Sequence, residues 1–346
     1  QAGSGLFRFI YFSGCFGRPA HTMTSPLKKY LAAALLLLPF AAPAAQPESH
    51  PAAQVGAQEF ILRDSAGLKR EYRIQVAAVG KAPASGYPVL YVLDGDALFP
   101  MVTGAAQNMV MRAEENNAVP LLIVGVGYPN GELFDFAARA EDYTPPSADY
   151  AQSGDRMSKR FGGGEHFHRF LTGRLRDEIA ARYPVNRSQQ WLMGHSYGGL
   201  FTLYSLLEHP GSFNNYLAAS PSVWWNQRRI LESIPPFVKN AAKLKKQTAG
   251  RAPLGLRITV GEYEQTLVPW MPQEAARKEL LEKRGMVRDA RHIAQELSAV
   301  PPQVLHSEWK LYPQETHATV LLPAINDNLK WLFARCKADD TCRPQP

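Results

Sequence analysis

An α/β protein with a mostly parallel, doubly wound central sheet and helices on both faces is predicted by three features of the sequence. Residues 89–93 (VLYVL) are wholly apolar. Residues 121–126 (LLIVGV) are nearly so, as expected of central strands covered on both faces. Stretches of helical spacing separate such runs, and the alternation continues toward the end of the chain, the pattern of consecutive βαβ units. With 346 residues, 45% of them apolar, the chain is long enough for one large core.

Met23 opens a stretch with Lys28 and Lys29, an apolar run to Phe40, and then Ala42, Pro43, Ala44 and Ala45. Basic, apolar and small residues in that order predict a secretory signal peptide over 23–45, cleaved near Ala44 or Ala45. Its unbroken apolar core, 31–38, is far short of the roughly 20 residues that cross a bilayer, so no integral membrane segment is expected after cleavage. Residues 1–22 read as an upstream extension that is not native, and 46–58 as a linker rich in Pro and Ala.

From there, residues 59–63 and 71–79 alternate apolar and polar positions as half-buried strands do. Further strands are expected at 89–93, 121–126, 191–193, 256–260 and 309–312. Helical spacing marks 97–112, 164–183, 199–208, 272–297 and 318–333. A single domain over 59–335 follows, with a tail at 336–346. The turn-rich stretch 130–164 is too long for an ordinary connection and predicts a functional insertion above the sheet.

Four basic residues and no acid lie in 1–45, so without that segment the formal charge falls from +7 to about +3. That balance gives no reason to expect a nucleic-acid partner. Cys336 and Cys342 are close enough in sequence to close a small loop in an oxidising compartment. A staple on the tail is expected there in place of a redox or metal site, because no His or third Cys stands beside that pair.

The chemistry concentrates at Gly194-His195-Ser196-Tyr197-Gly198. This G-x-S-x-G follows a strand-like run and precedes a helix-like one, the context of the nucleophile elbow in the α/β-hydrolase fold. A serine hydroxyl is a poor nucleophile, so Ser196 needs a base and an acid to orient that base. In this fold the partners follow in the order serine, acid, histidine. Of nine histidines, His317 alone follows the final predicted strand, where the last helix begins, and it is the expected base. His195 should point beside the serine in a structural role. His166 and His168, two apart on a helix, face different directions and read as surface or packing residues. The acid is expected after the strand at 256–260, where Glu262 and Glu264 both stand. Comparison with the fold family, which places it three residues past a strand-terminal glycine, favours Glu264. Oxyanion donors are expected from the backbone after the nucleophile, Tyr197, and after the third strand, Asp96.

Together, LDGD at 93–96, GHSYGGLF at 194–201, SPSVWW at 220–225 and ETH at 315–317 resemble the putative-esterase (esterase D-like) family over residues 59–333. Within it, RAEDYTP at 139–145 and the glycines at 162–164 are most similar to periplasmic siderophore esterases, which open the trilactone of enterobactin-type catecholates. The resemblance implies a small-molecule ester substrate, such as a ferric or iron-free siderophore, and no cofactor. It also leaves open a general short-chain esterase or thioesterase, an acyltransferase, and a binding protein that has lost catalysis. Some siderophore esterases are thought to work with a serine–histidine pair alone, which bears on the role of Glu264. Arg139, in the insertion, is the candidate contact for an anionic substrate, against a salt bridge to Glu141 or Asp142. Trp224 and Trp225 are candidates to wall the pocket, against a place in the core.

Overall fold

In the computed structural model the described residues are 54–247 and 252–342, which belong to one compact unit. The proposed signal peptide, the upstream extension and most of the linker lie outside them. Eight strands form one sheet in the order β1-β2-β4-β3-β5-β6-β7-β8. They are β1 (Ala57–Arg63), β2 (Glu71–Val79), β3 (Tyr87–Leu93), β4 (Leu121–Gly127), β5 (Val185–His195), β6 (Asn215–Ala219), β7 (Leu254–Gly261) and β8 (Leu305–Tyr312). β1 and β2 pair antiparallel at one edge, β2 being buried on both faces over 74–77 where half-burial was expected, and every pairing from β4 across to β8 is parallel.

The helices are α1 (Gly95–Met111), α2 (Phe136–Asp142), α3 (Gly164–Phe170), α4 (Arg176–Arg182), α5 (Tyr197–Glu208), α6 (Ile234–Lys239), α7 (Ala241–Gln247), α8 (Ala275–Arg284), α9 (Met286–Leu297) and α10 (Leu321–Ala338). Their apolar faces cover both sides of the sheet, because strand side chains alternate between two cores. Val89, Tyr91 and Leu93 of β3 point into one, with residues of α3, α4, α5 and α9. Leu90 and Val92 point into the other, with α1 and α10. The α/β-hydrolase architecture expected from the sequence is therefore present, with its parallel strands all delivering their carboxyl ends to one edge.

Three elements differ from expectation. β6 is only five residues long, too short to stand out as an apolar run. The helix expected over 272–297 is two, because Gly285 adopts φ 59° and ψ 36°, a left-handed cap that ends α8 and opens α9. The insertion contains one helix of its own, α2, whose N-terminus is capped by the Asp135 side chain accepting from the Ala138 N–H at 2.8 Å. Cys336 and Cys342 form a disulfide that folds the chain after α10 back onto it.

Candidate active site

β5 ends at His195, α5 begins at Tyr197, and the one residue between them is Ser196 with φ 59° and ψ −115°. That left-handed backbone is strained for a side chain with a Cβ, and it lifts the hydroxyl clear of both elements. The neighbouring glycines make the turn possible in different ways. A Cβ on Gly194 would stand 2.2 Å from the Gly198 carbonyl oxygen, and one on Gly199 would stand 2.7 Å from that of Ala219. A Cβ on Gly198 would meet nothing nearer than 3.4 Å, so the close approach falls on 194 and 199.

β7 and β8 bring the other two residues. The loop after β8 is fastened to the loop after β7 by the Tyr263 N–H donating to Glu315 O at 2.9 Å and the Gln314 N–H donating to the Glu262 carboxylate at 2.9 Å. Glu262 thus acts as a clasp between loops. Glu264 is buried, and its Oε2 meets His317 Nδ1 at 2.5 Å. Its other oxygen accepts from the Ser220 hydroxyl at 2.6 Å and the Gly261 N–H at 2.7 Å, so the carboxylate cannot turn away from the imidazole. Between the two acids left open by the sequence, the geometry brings Glu264 to the histidine and takes Glu262 elsewhere.

His317 is half exposed, in the turn before α10, and its ring centroid is 4.5 Å from that of His195. His195 Nε2 lies 2.9 Å from the His317 carbonyl oxygen. A carbonyl only accepts, so Nε2 carries the proton and donates it. Burial, then the nearby His317 and Arg139, hold the His195 pKa well below the ordinary value, keeping that ring neutral. The structural role expected of His195 is therefore a specific one: it ties the loop of His317 to the elbow. The Ser196 hydroxyl, for its part, lies 3.2 Å from the Ser222 hydroxyl and makes no hydrogen bond to His317. Contacts between a serine and its histidine are often long or poorly aligned in the free protein and tighten only with substrate bound.

Tyr197 and Asp96 stand in the first turns of α5 and α1, where amides have no acceptor within the helix. Asp96 turns its carboxylate away, to Arg73 at 2.7 Å and the Tyr128 N–H at 2.8 Å, so only its backbone is placed to serve as a donor. A Cβ on Gly95 would lie 2.7 Å from Val126 N, which is why glycine precedes it.

Two pocket assignments need correction. Arg139 is 6% exposed and does not reach out toward a ligand; its fork binds Asp94, Nε to Oδ1 at 2.8 Å and Nη2 to Oδ2 at 2.9 Å. Its partner is neither Glu141 nor Asp142, both of which receive Arg70. Trp225 is 1% exposed and packs against Tyr150 and Phe161, so it belongs to the core. Trp224 remains partly open, with its ring 6.0 Å from Tyr197 and the Arg284 guanidinium 4.8 Å above it. Sequence reasoning passed over Asp94, Ser220, Ser222 and Asp155, whose carboxylate takes the Tyr197 hydroxyl at 2.9 Å. Among these, Ser220 and Ser222 lay in the SPS motif beside the tryptophans and could have been flagged. Among the described residues, no group of three or more His, Cys, Asp or Glu is arranged to hold a metal, and no helix is long and apolar enough to cross a membrane.

Residues 65–295 match the sequence profile of the family described as "Putative esterase". The chain belongs to the putative-esterase family. The matched span of this esterase includes the elbow and Glu264 and ends before β8 and His317. Two curated relatives are similar over most of its length. The ferri-bacillibactin esterase BesA of Bacillus subtilis is 31% identical over 277 residues, covering 79% of this chain and 88% of the relative. The siderophore triacetylfusarinine C esterase of Aspergillus fumigatus is 32% identical over 291 residues, covering 80% and 92%. Among solved structures, the siderophore hydrolase EstA from Aspergillus nidulans superposes with a TM-score of 0.71 at 27% identity, over 85% of this chain and 99% of that one.

Proposed function

We propose that this esterase opens the ester linkages of a catecholate siderophore trilactone, in its ferric or its iron-free form, through an acyl-serine intermediate on Ser196. The observation that carries the mechanism is the 2.5 Å contact between buried Glu264 and His317 Nδ1, which orients the opposite ring nitrogen as a base. The substrate class rests on the relatives, whose names specify siderophore esters. His317 Nε2 takes the Ser196 proton as the oxygen attacks the ester carbonyl. The developing oxyanion is met by the N–H groups of Tyr197 and Asp96. Collapse breaks the acyl–oxygen bond, and His317 returns its proton to the leaving alkoxide. Water then repeats the sequence on the acyl-serine and frees the acid. Trp224 offers an aromatic wall for a ring of the substrate.

Incubation of residues 46–346 with ferric enterobactin, iron-free enterobactin and short p-nitrophenyl esters tests the reading. Siderophore hydrolysis well above that of the simple esters is expected. Efficient turnover of simple esters alone would remove the siderophore while keeping the esterase. Labelling by a fluorophosphonate is expected for the wild type and absent in Ser196→Ala, whose kcat should fall at least about 10⁴-fold. A folded wild type that takes no label would sink the mechanism.

Export to the periplasm completes the proposal. It is supported by the basic, apolar and small-residue order of 23–45 and by a disulfide that suits an oxidising compartment. Expression of residues 23–346 in a Gram-negative host should yield a periplasmic protein that begins near Gln46; retention of Met23 in the cytoplasm would count against it.

A further inference from the structure

The Asp94–Arg139 pair sits between the two loops that supply the oxyanion donors and is bonded to both. Asp94 is the hinge of the β3–α1 turn, in a left-handed conformation at φ 52° and ψ 50° that a non-glycine residue rarely adopts. Its carbonyl accepts from the Ala97 and Leu98 N–H groups, so its backbone sets where α1 starts and where the Asp96 amide points. Arg139 grips its carboxylate with two parallel hydrogen bonds, and the same Nη2 lies 3.4 Å from the carbonyl of His195, the residue just before the nucleophile. At the C-terminal cap of α2, four residues on, the Tyr143 hydroxyl accepts from the Asp94 N–H at 3.1 Å. The guanidinium also lies 5.6 Å from the Tyr143 ring centre and 5.5 Å from that of Tyr197. The Asp94 carboxylate is fully buried and comes within 3.5 Å of where a Cβ on Gly198 would stand, beside the second turn-bearing loop. Burial works against the Arg139 charge, but Asp94 first and then Tyr143 and Tyr128 more than offset it, so the guanidinium stays charged.

We infer that Arg139 and Asp94 are positioning residues that fix the separation of the Asp96 and Tyr197 amides, so that the insertion, through α2, holds the oxyanion hole in its working shape. Neither touches the reacting atoms. The inference rests on the serine-hydrolase reading above, since it presumes that those two amides meet the oxyanion. Preorganised donors lose most of their effect when displaced, and a planar two-pronged fork is not replaced by the single point charge of lysine.

The test uses Asp94→Asn, Arg139→Lys and the double variant, with a neutral p-nitrophenyl ester and its thionoester. Thiocarbonyl sulfur accepts hydrogen bonds poorly, so the ratio of kcat/KM for the two substrates reports on the hole itself. Each single change is expected to lower kcat on the oxygen ester about 10- to 100-fold with KM altered less than about threefold, against the roughly 10²- to 10³-fold cost of losing a donor outright. The preference for oxygen over sulfur should shrink by about tenfold, and the double variant should be no worse than the poorer single one. If Arg139→Lys does not fold, Asp94→Asn alone carries the test, because it keeps the shape of the side chain. A lower melting temperature with kcat and the oxygen-to-sulfur ratio unchanged would overturn the inference. So would a rise in KM confined to anionic siderophores, which would return Arg139 to the substrate. Failure of the serine-hydrolase reading looks different, because the wild type would then neither label nor turn over.

Discussion

Glu264 and Glu262 show how little separates a carboxylate set on a histidine from one that clasps two loops. They stand two residues apart in one short turn, yet only Glu264 is buried with both oxygens engaged, one on the histidine and one on the donors that orient it. Replacement by Gln keeps the volume but offers the imidazole an amide in place of a carboxylate, which no longer stabilises the charged ring. Glu264→Gln is therefore expected to lower kcat by about 10²- to 10⁴-fold, and Glu262→Gln to stay within about threefold, as measured with a p-nitrophenyl ester. Equal losses in both would mean that the acid had been wrongly chosen, and no loss in either would favour a serine–histidine pair. The places of Ser196, at the turn between β5 and α5, and of His317, after β8, were legible in the sequence because the elbow and the fold's chain order point to single positions. Arg139 was misread because sequence places a residue in a segment without saying which way it faces. The insertion does overhang the elbow, but its arginine points down onto a carboxylate that no sequence pattern had joined to it, 45 positions away.

Secondary elements were most readable where both faces are buried, since a continuous run such as that of β3 or β4 leaves no other interpretation. They were least readable where tertiary contacts override local pattern. One case is the five-residue β6; another is the segment Trp225–Ser233, in which Asn226, Gln227 and Arg228 all have positive φ. The tail of α10 is a third case, since the cysteines suggested a staple without saying what it holds. Cys342 is buried, and the loop it closes is also bound to β5 by Asn186 Nδ2 donating to Thr341 O at 2.6 Å and Gln189 Nε2 donating to Asp339 at 2.7 Å. Cross-linking a loop with a sequence separation of 6 restricts the unfolded chain by about 2 kcal/mol. The variant with Cys336→Ser and Cys342→Ser should lose about that much unfolding free energy in urea. Its kcat should not change, because Gln189 lies seven residues before Ser196 on an extended strand, roughly 23 Å away. A loss of activity per folded molecule would show the tail to be coupled to the site.

The molecule as a whole is built so that the loops after β3, β5, β7 and β8 bring Asp96, Ser196, Glu264 and His317, the proposed donor, nucleophile, acid and base, to one sheet edge, while the far end of α5 is given over to packing. There, His168 of α3 is 4% exposed, stacked on His209 at 4.1 Å, and its Nε2 has no hydrogen-bond partner. Burial first, and then the charges of His209 and Arg176 against that of Glu165, lower its pKa from 6.5 to about 4. The sign of the consequence follows from proton counting. Above pH 6.5 the ring is neutral in folded and unfolded chains alike, and its titration contributes nothing. As the pH falls from 6.5 toward 4, the unfolded chain takes up a proton that the folded one refuses, so the unfolded state gains. The full loss, reached below about pH 4, is on the order of 3 kcal/mol. Many carboxylates also respond in that range, so the comparison must be with a variant that cannot titrate at this position. His168→Phe keeps a flat ring against His209 and removes the proton site. Its unfolding free energy, measured in urea from pH 7.5 to 4.5, should fall less steeply than that of the wild type, and the two curves should separate as the pH drops below 6.5. Parallel curves across that interval would mean that His168 is protonated inside the fold and that His209 and Glu165 rearrange to accept the charge.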